Sequence, residues 1–210
     1  MSAVTHIKVC GITTVEDAEL AVRAGVDSIG INLIAVSKRR VDAAVARSIV
    51  HAIAGRVTTI AVAADLSVEE LRRVRRDTEV DLLQLHGGES PEVVEALLPH
   101  AYQAIRVAAR ADVQRAVMYP GERILVDAKV EGQLGGTGVT FDWSLVRDLA
   151  RERRLVLAGG LSPDNVAAAV ARVAPWGVDV ASGVEVSGEP RRKDRAKLER
   201  FVAAVRGTAG

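Results

Sequence analysis

Two side chains far apart in the sequence are of types that move protons on carbon and oxygen. Cys10 ends the run His6-Ile7-Lys8-Val9 and precedes Gly11, and Asp127 ends the run Ile124-Leu125-Val126. A thiolate can take a proton and a carboxylic acid can deliver one, if their surroundings tune the two groups apart. Backbone amides in a glycine turn favour the thiolate, as would the nearby Lys8. Beyond Asp127 lies a long segment carrying Gly135, Gly136, Thr137 and Gly138, whose bare N–H groups suit a phosphate.

For these residues to act together, the chain has to bring the ends of different strands to one place. Short Val/Ile/Leu-rich runs predict strands at 6–9, 28–33, 57–63, 81–85, 102–107, 123–127, 155–158 and 177–180. Amphipathic segments between them predict helices at 14–24, 42–54, from Ser67, from Ser90-Pro91, at 112–118, 143–151, from Ser162, and at 193–205. Ser67-Val68-Glu69-Glu70 is a full capping box, and Thr14 with Asp17 a shortened one. Alternating strands and helices imply a parallel sheet covered by helices. Eight such units without a composition break predict a (β/α)8 barrel as a single domain over residues 1–210. An open doubly wound sheet would carry a glycine fingerprint after its first strand, where this chain has Cys10-Gly11-Ile12-Thr13.

In a barrel the residues just after each strand share one rim, which holds the active site. Reading those positions gathers Cys10, Arg39, Asp65, His86, Arg106, Asp127, Gly159-Gly160 and Ser182-Gly183. The turns at Gly159-Gly160 and Ser182-Gly183 follow the seventh and eighth strands, where barrels commonly grip phosphate. His86, in Gln84-Leu85-His86-Gly87, either hydrogen-bonds a substrate or caps its strand, and the second is the simpler reading. His6, His51 and His100 are scattered and read as structural or solvated. No cluster has metal-ligand spacing, so no metal is expected.

Composition narrows the partners. The formal net charge is +1, which leaves no electrostatic footprint for nucleic acid or an anionic membrane. The basic runs Arg151-Glu152-Arg153-Arg154 and Arg191-Arg192-Lys193 read as solvated helix faces. With one cysteine there is no internal disulfide, and no apolar run is long enough to cross a bilayer. A cytoplasmic protein, monomeric or homodimeric, is expected.

Several ordered motifs between Lys8 and Val205 resemble the phosphoribosylanthranilate isomerase family. They are Lys8-Val9-Cys10-Gly11-Ile12-Thr13, Gln84-Leu85-His86-Gly87, Asp127 with Gly135-Gly136-Thr137-Gly138, Thr140-Phe141-Asp142-Trp143-Ser144-Leu145, Leu157-Ala158-Gly159-Gly160-Leu161, and Val178-Asp179-Val180-Ala181-Ser182-Gly183-Val184-Glu185. The resemblance implies an Amadori rearrangement of N-(5-phosphoribosyl)anthranilate in tryptophan biosynthesis, without a cofactor. By the same resemblance Asp127 is the general acid, Cys10 the general base, and Arg39 the partner of the anthranilate carboxylate. The chain departs from the family after strand two, where an aromatic-rich segment is replaced by 30–40 and a lysine and a tyrosine by Val36 and Arg40. It departs again after strand three, at 61–65. These positions are expected to line the aglycone side of the pocket. That leaves open a paralogue running the same rearrangement on another N-linked ribose phosphate. Two other readings are a Schiff-base aldolase on Lys8 or Lys129 and a barrel retained as a phosphate-ligand sensor.

Overall fold

The computed structural model describes residues 4–127 and 144–208. Gly135, Gly136 and Lys129 lie outside the described residues. The chain alternates β1 (His6–Cys10), α1 (Val15–Ala24), β2 (Ser28–Asn32), α2 (Ala43–Ala52), β3 (Thr58–Ala63), α3 (Val68–Thr78), β4 (Leu82–Leu85) and α4 (Pro91–Glu95). It continues with β5 (Ala101–Arg106), α5 (Arg110–Val117), β6 (Arg123–Asp127), α6 (Ser144–Glu152), β7 (Arg154–Ala158), α7 (Val166–Val173) and β8 (Gly177–Val180). A single 3-10 turn at Ser182–Val184 then leads to β9 (Glu185–Val186), β10 (Glu189–Lys193) and α8 (Arg195–Arg206). Strands β1 to β8 pair in sequence order and β8 closes parallel onto β1, so the expected (β/α)8 barrel forms.

The two-residue period of each strand sorts its side chains between two cores. Ile7, Val9, Ile29, Ile31, Val126 and Val178 point outward into the layer beneath the helices. Ile60, Tyr102, Ala104, Leu125, Val156 and Ala158 form a smaller cluster in the barrel interior. Lys8 shares the inward parity with Cys10 and pairs in register with Asp179 on β8, so one strand carries a buried cation and a thiol to the same interior.

Helix starts follow their caps. Ser67 and Glu70 make the reciprocal capping box on α3. Thr14 caps α1 by accepting from the Asp17 N–H, but the Asp17 carboxylate does not return the bond; it accepts the Lys193 N–H at 3.1 Å. That bond belongs to a feature the periodicity does not announce: β9 and β10 form a small antiparallel hairpin after β8. The run Arg191-Arg192-Lys193 is therefore edge strand and not helix face. Lys193 is buried, and the last helix begins later, with Asp194 as its N-cap.

Candidate active site

At the C-terminal mouth of the barrel is a cavity of about 930 Å³. Cys10, Arg39, His86, Asp127, Gly159, Gly160 and Ser182 all line it, together with Asn32, Gln84, Asp179 and Glu185. Cys10 and Asp127, 117 positions apart in sequence, thus face one space because β1 and β6 both end there. Gly183 sits just behind. A side chain on it would overlap the Leu161 carbonyl, so the turns after β7 and β8 are in direct contact. The β7 turn is built by Asn165, whose Oδ1 accepts from the Ser162 N–H at 2.8 Å and whose Nδ2 donates to the Gly160 carbonyl at 3.0 Å. Gly159 and Gly160 both have positive φ, 102° and 67°, which a side chain would strain.

His86 does more than end its strand. Its Nε2 lies 4.0 Å from Asp127 Oδ2, and its Nδ1 is 3.3 Å from Gln84 Nε2. Burial holds the imidazole below its ordinary value, against the pull of Asp127 in the other direction. A neutral ring beside the carboxyl follows. Gln84 is fixed in turn by the Tyr102 phenol, which donates to its Oε1 at 2.9 Å.

Below the thiol, Lys8 Nζ donates to Asp179 Oδ2 at 2.8 Å, with both side chains almost fully buried. Burial works to lower the Lys8 ammonium, but Asp179 outweighs it and the group is held above its ordinary range. That state opposes a Schiff-base role, which needs a neutral amine. Asp179 Oδ1 is buried and has no hydrogen-bond partner among the described residues, leaving an acceptor in the cavity wall.

Arg39 is gripped side-on by Glu185: Nε donates to Oε1 at 2.6 Å and Nη2 to Oε2 at 2.8 Å. This two-bond fork fixes the guanidinium plane, engages one edge and leaves Nη1 outside the fork. Its aliphatic stem lies across Gly11, where any Cβ would collide with it. Glu185 also accepts from Lys193 Nζ at 3.0 Å. Burial alone would raise the Glu185 carboxyl, but Arg39 and Lys193 hold it below its ordinary value.

The hairpin binds three rim segments together. Lys193 Nζ donates to the carbonyls of Cys10, 2.7 Å, and Ala181, 3.3 Å. Arg191 donates to the carbonyls of Lys38 and Arg40, while the Thr13 hydroxyl donates to the Arg191 carbonyl at 2.6 Å. Sequence reasoning missed Glu185 as the holder of Arg39 and read Lys193 as part of a solvated helix face. The available signal was a Glu and a Lys flanking a glycine-containing segment directly after a phosphate-type turn.

The positions at which the chain departs from the family pattern fall largely outside the cavity. Val36 is 92% exposed and Arg40 is also exposed, and neither lines the space. From the two altered stretches the wall takes Asn32, Lys38, Arg39 and Val62. The expectation that Val36 and Arg40 shape the aglycone side is therefore corrected: their side chains face solvent.

Residues 7–204 match the family model described as N-(5'-phosphoribosyl)anthranilate isomerase. A relative from Pseudomonas aeruginosa (strain LESB58), named N-(5'-phosphoribosyl)anthranilate isomerase, is 48% identical over 96% of this chain and 95% of its own length. The crystal structure of phosphoribosyl anthranilate isomerase from Thermotoga maritima superposes with a TM-score of 0.87 at 34% identity, covering 97% of this chain and 99% of that one. A second crystal structure, of phosphoribosyl anthranilate isomerase in complex with reduced 1-(o-carboxyphenylamino)-1-deoxyribulose 5-phosphate, gives 0.84 at 32% identity, covering 97% and 99%. With the fold, the ordered motifs and these likenesses in agreement over almost its full length, the chain belongs to the N-(5'-phosphoribosyl)anthranilate isomerase family.

Proposed function

We infer that this chain, acting as one barrel domain in the cytoplasm, converts N-(5'-phosphoribosyl)anthranilate into 1-(2-carboxyphenylamino)-1-deoxyribulose 5-phosphate. The observation that carries the assignment of roles is that Cys10, Asp127 and the turns after β7 and β8 border one cavity. Asp127 gives its proton to the furanose oxygen as the C1–O bond breaks, and the anilino nitrogen lone pair forms the Schiff base. Cys10 thiolate then takes the C2 proton, and the electron pair moves to give an enolamine, which tautomerises to the ketone. One proton is delivered and one removed, so substrate and product are isomers and the reaction needs no external oxidant or reductant.

The remaining wall suits the rest of this substrate. Backbone N–H groups of the Gly159-Gly160 and Ser182-Gly183 turns are the grip for the 5'-phosphate, with Gly135 and Gly136 proposed as a further part of it. The Nη1 side of Arg39, outside the Glu185 fork, is the partner of the anthranilate carboxylate. His86, neutral and next to Asp127, contacts the sugar at the ring being opened. Among the described residues no helix is long and apolar enough to cross a membrane. The test is to generate phosphoribosylanthranilate enzymatically and follow the loss of its fluorescence with purified protein. Rapid loss is expected, and a background rate from folded protein would overturn the assignment.

A further inference from the structure

We infer that Lys8 is the positioning residue that makes Cys10 usable as a base: its ammonium, anchored by Asp179 and brought to the thiol in the notch left by Gly30, is the counter-charge of the thiolate. This rests on the reading of Cys10 as the group that takes the C2 proton.

The geometry is set by register. Cys10 pairs with Gly30 on β2, and Lys8 lies two residues earlier on β1 with the same inward parity. A Cβ built on Gly30 would lie 2.8 Å from Cys10 Sγ and 2.9 Å from Lys8 Nζ. Both groups therefore converge on a spot where β2 has no side chain. Gly30 has no positive φ, so the glycine is explained by space and not by backbone conformation. Lys8 is 1% exposed. An ammonium this deep in a barrel is costly to keep unless it is paired, and Asp179 accepts only one of its three N–H bonds. The other two are left over by that pair, and the thiol borders the same Gly30 notch as Nζ.

Other charges reach Cys10, but each is committed elsewhere. Lys193, from β10, is bonded to Glu185 and to the Cys10 and Ala181 carbonyls. Arg39, from the segment after β2, is held in the Glu185 fork. Tyr102, from β5, spends its proton on Gln84. Asp179, from β8, opposes the thiolate but is turned onto Nζ. Burial holds the thiol above its ordinary value, and Lys8 is the strongest influence opposing that rise.

Cys10 is the only cysteine in the chain, so the thiolate absorbance comes from this site, once the two tyrosines are subtracted by their own ionisation band or by a Cys10→Ser control. The experiment titrates the thiolate in folded wild type, in Lys8→Met, and in Lys8→Gln/Asp179→Asn, which removes both charges and leaves no carboxylate stranded. In Lys8→Met the midpoint should rise by ~1–3 pH units, the size of an adjacent opposite charge; in the double variant, which also removes the opposing Asp179 charge, it should rise by less but in the same direction. The acid limb of kcat/KM should move with it. A thiol that titrates as in wild type in either folded variant would overturn the inference, since a purely structural lysine would lower yield or turnover without moving that midpoint. Cys10→Ser separates the two layers of argument. If it turns over like wild type, the base assignment falls whatever Lys8 does; if it is inactive while the midpoint stays fixed, only the role of Lys8 falls.

Discussion

The two ends of the barrel use similar residues for opposite purposes. At the N-terminal end lies the larger cavity, about 1250 Å³, bordered by Tyr119, Pro120, Arg153, Arg154 and Trp176. Its polar groups are spent on the protein itself. Arg153 donates to the carbonyls of Ala116, Tyr119, Pro120, Gly121 and Arg123. Trp176 is stacked on His6 at 4.4 Å and has the Arg123 guanidinium over its ring, 4.8 Å from the centroid. At the C-terminal end the space is smaller, but Asp179 Oδ1, the outer edge of Arg39 and two glycine turns are turned toward it. Size does not mark the site; polar groups held in place by the fold yet aimed at a cavity do.

The sharpest way to test that contrast is to remove the proton-transfer groups. Cys10→Ser and Asp127→Asn should each lower kcat by ~10²–10⁴-fold, the range for losing a positioned acid or base. Thermal unfolding should scarcely change. Unimpaired turnover in either variant would remove that residue from the chemistry. At the other end, Arg153→Met should cost about 2 kcal/mol of stability, because several half-buried carbonyls lose a charged donor at once. Its kcat/KM should stay at the wild-type value. Urea denaturation beside the fluorescence assay reads both, and a fall in activity with intact stability would erase the distinction between the two ends.

How much of this is legible without coordinates follows from how local each signal is. The barrel is written in strand period and helix caps, such as the Ser67 box and the Thr14 cap, which act over a few residues. Cys10, Asp127 and the two glycine turns could be collected because strand ends share a rim whatever the loops do. The hairpin could not. Its pairing is brief, Glu185–Val186 with Glu189–Lys193, and it is held by bonds to Thr13, Asp17, Lys38 and Arg40, all about 150 residues or more away. A run such as Arg191-Arg192-Lys193 looks solvated by composition, and only the third residue is buried. His86 reads as either a substrate contact or a strand cap for the same reason: its sequence neighbours say nothing of Asp127, which reaches it from β6.

The hairpin offers a smaller test, of binding instead of chemistry. Glu185→Gln keeps the shape but loses the charge that fixes Arg39 side-on. Loss of one charge-assisted contact of ~1.4 kcal/mol corresponds to about a tenfold rise in KM, with kcat much less affected. An unchanged KM would mean that Arg39 needs no brace to meet the substrate. The same change made at the opposite end, on an exposed pair such as Arg154 and Glu122, should alter neither constant.

The smallest effect expected comes from His6, which titrates at the end of the barrel away from the cavity. Burial against Trp176 lowers its pKa from 6.5 to about 4; Asp27 works against the shift, and Arg123, Arg206 and Lys8 add to it. Between those values the unfolded chain binds the proton more readily than the folded one. The contribution of His6 is therefore complete above pH 6.5 and is lost as pH falls toward 4. Allowing for the partly exposed ring, the loss is about 1–2 kcal/mol. His6→Phe keeps the stack on Trp176 but gives up the 2.9 Å bond to the Ser28 hydroxyl. It should thus be less stable above pH 6.5, with a shallower fall in stability between pH 6.5 and 4 that closes the gap to wild type. If denaturation curves across that window keep the wild-type slope, the acid sensitivity lies elsewhere. If the slope flattens while the pH profile of kcat/KM stays in place, titration at one end governs folding and titration at the other governs the reaction.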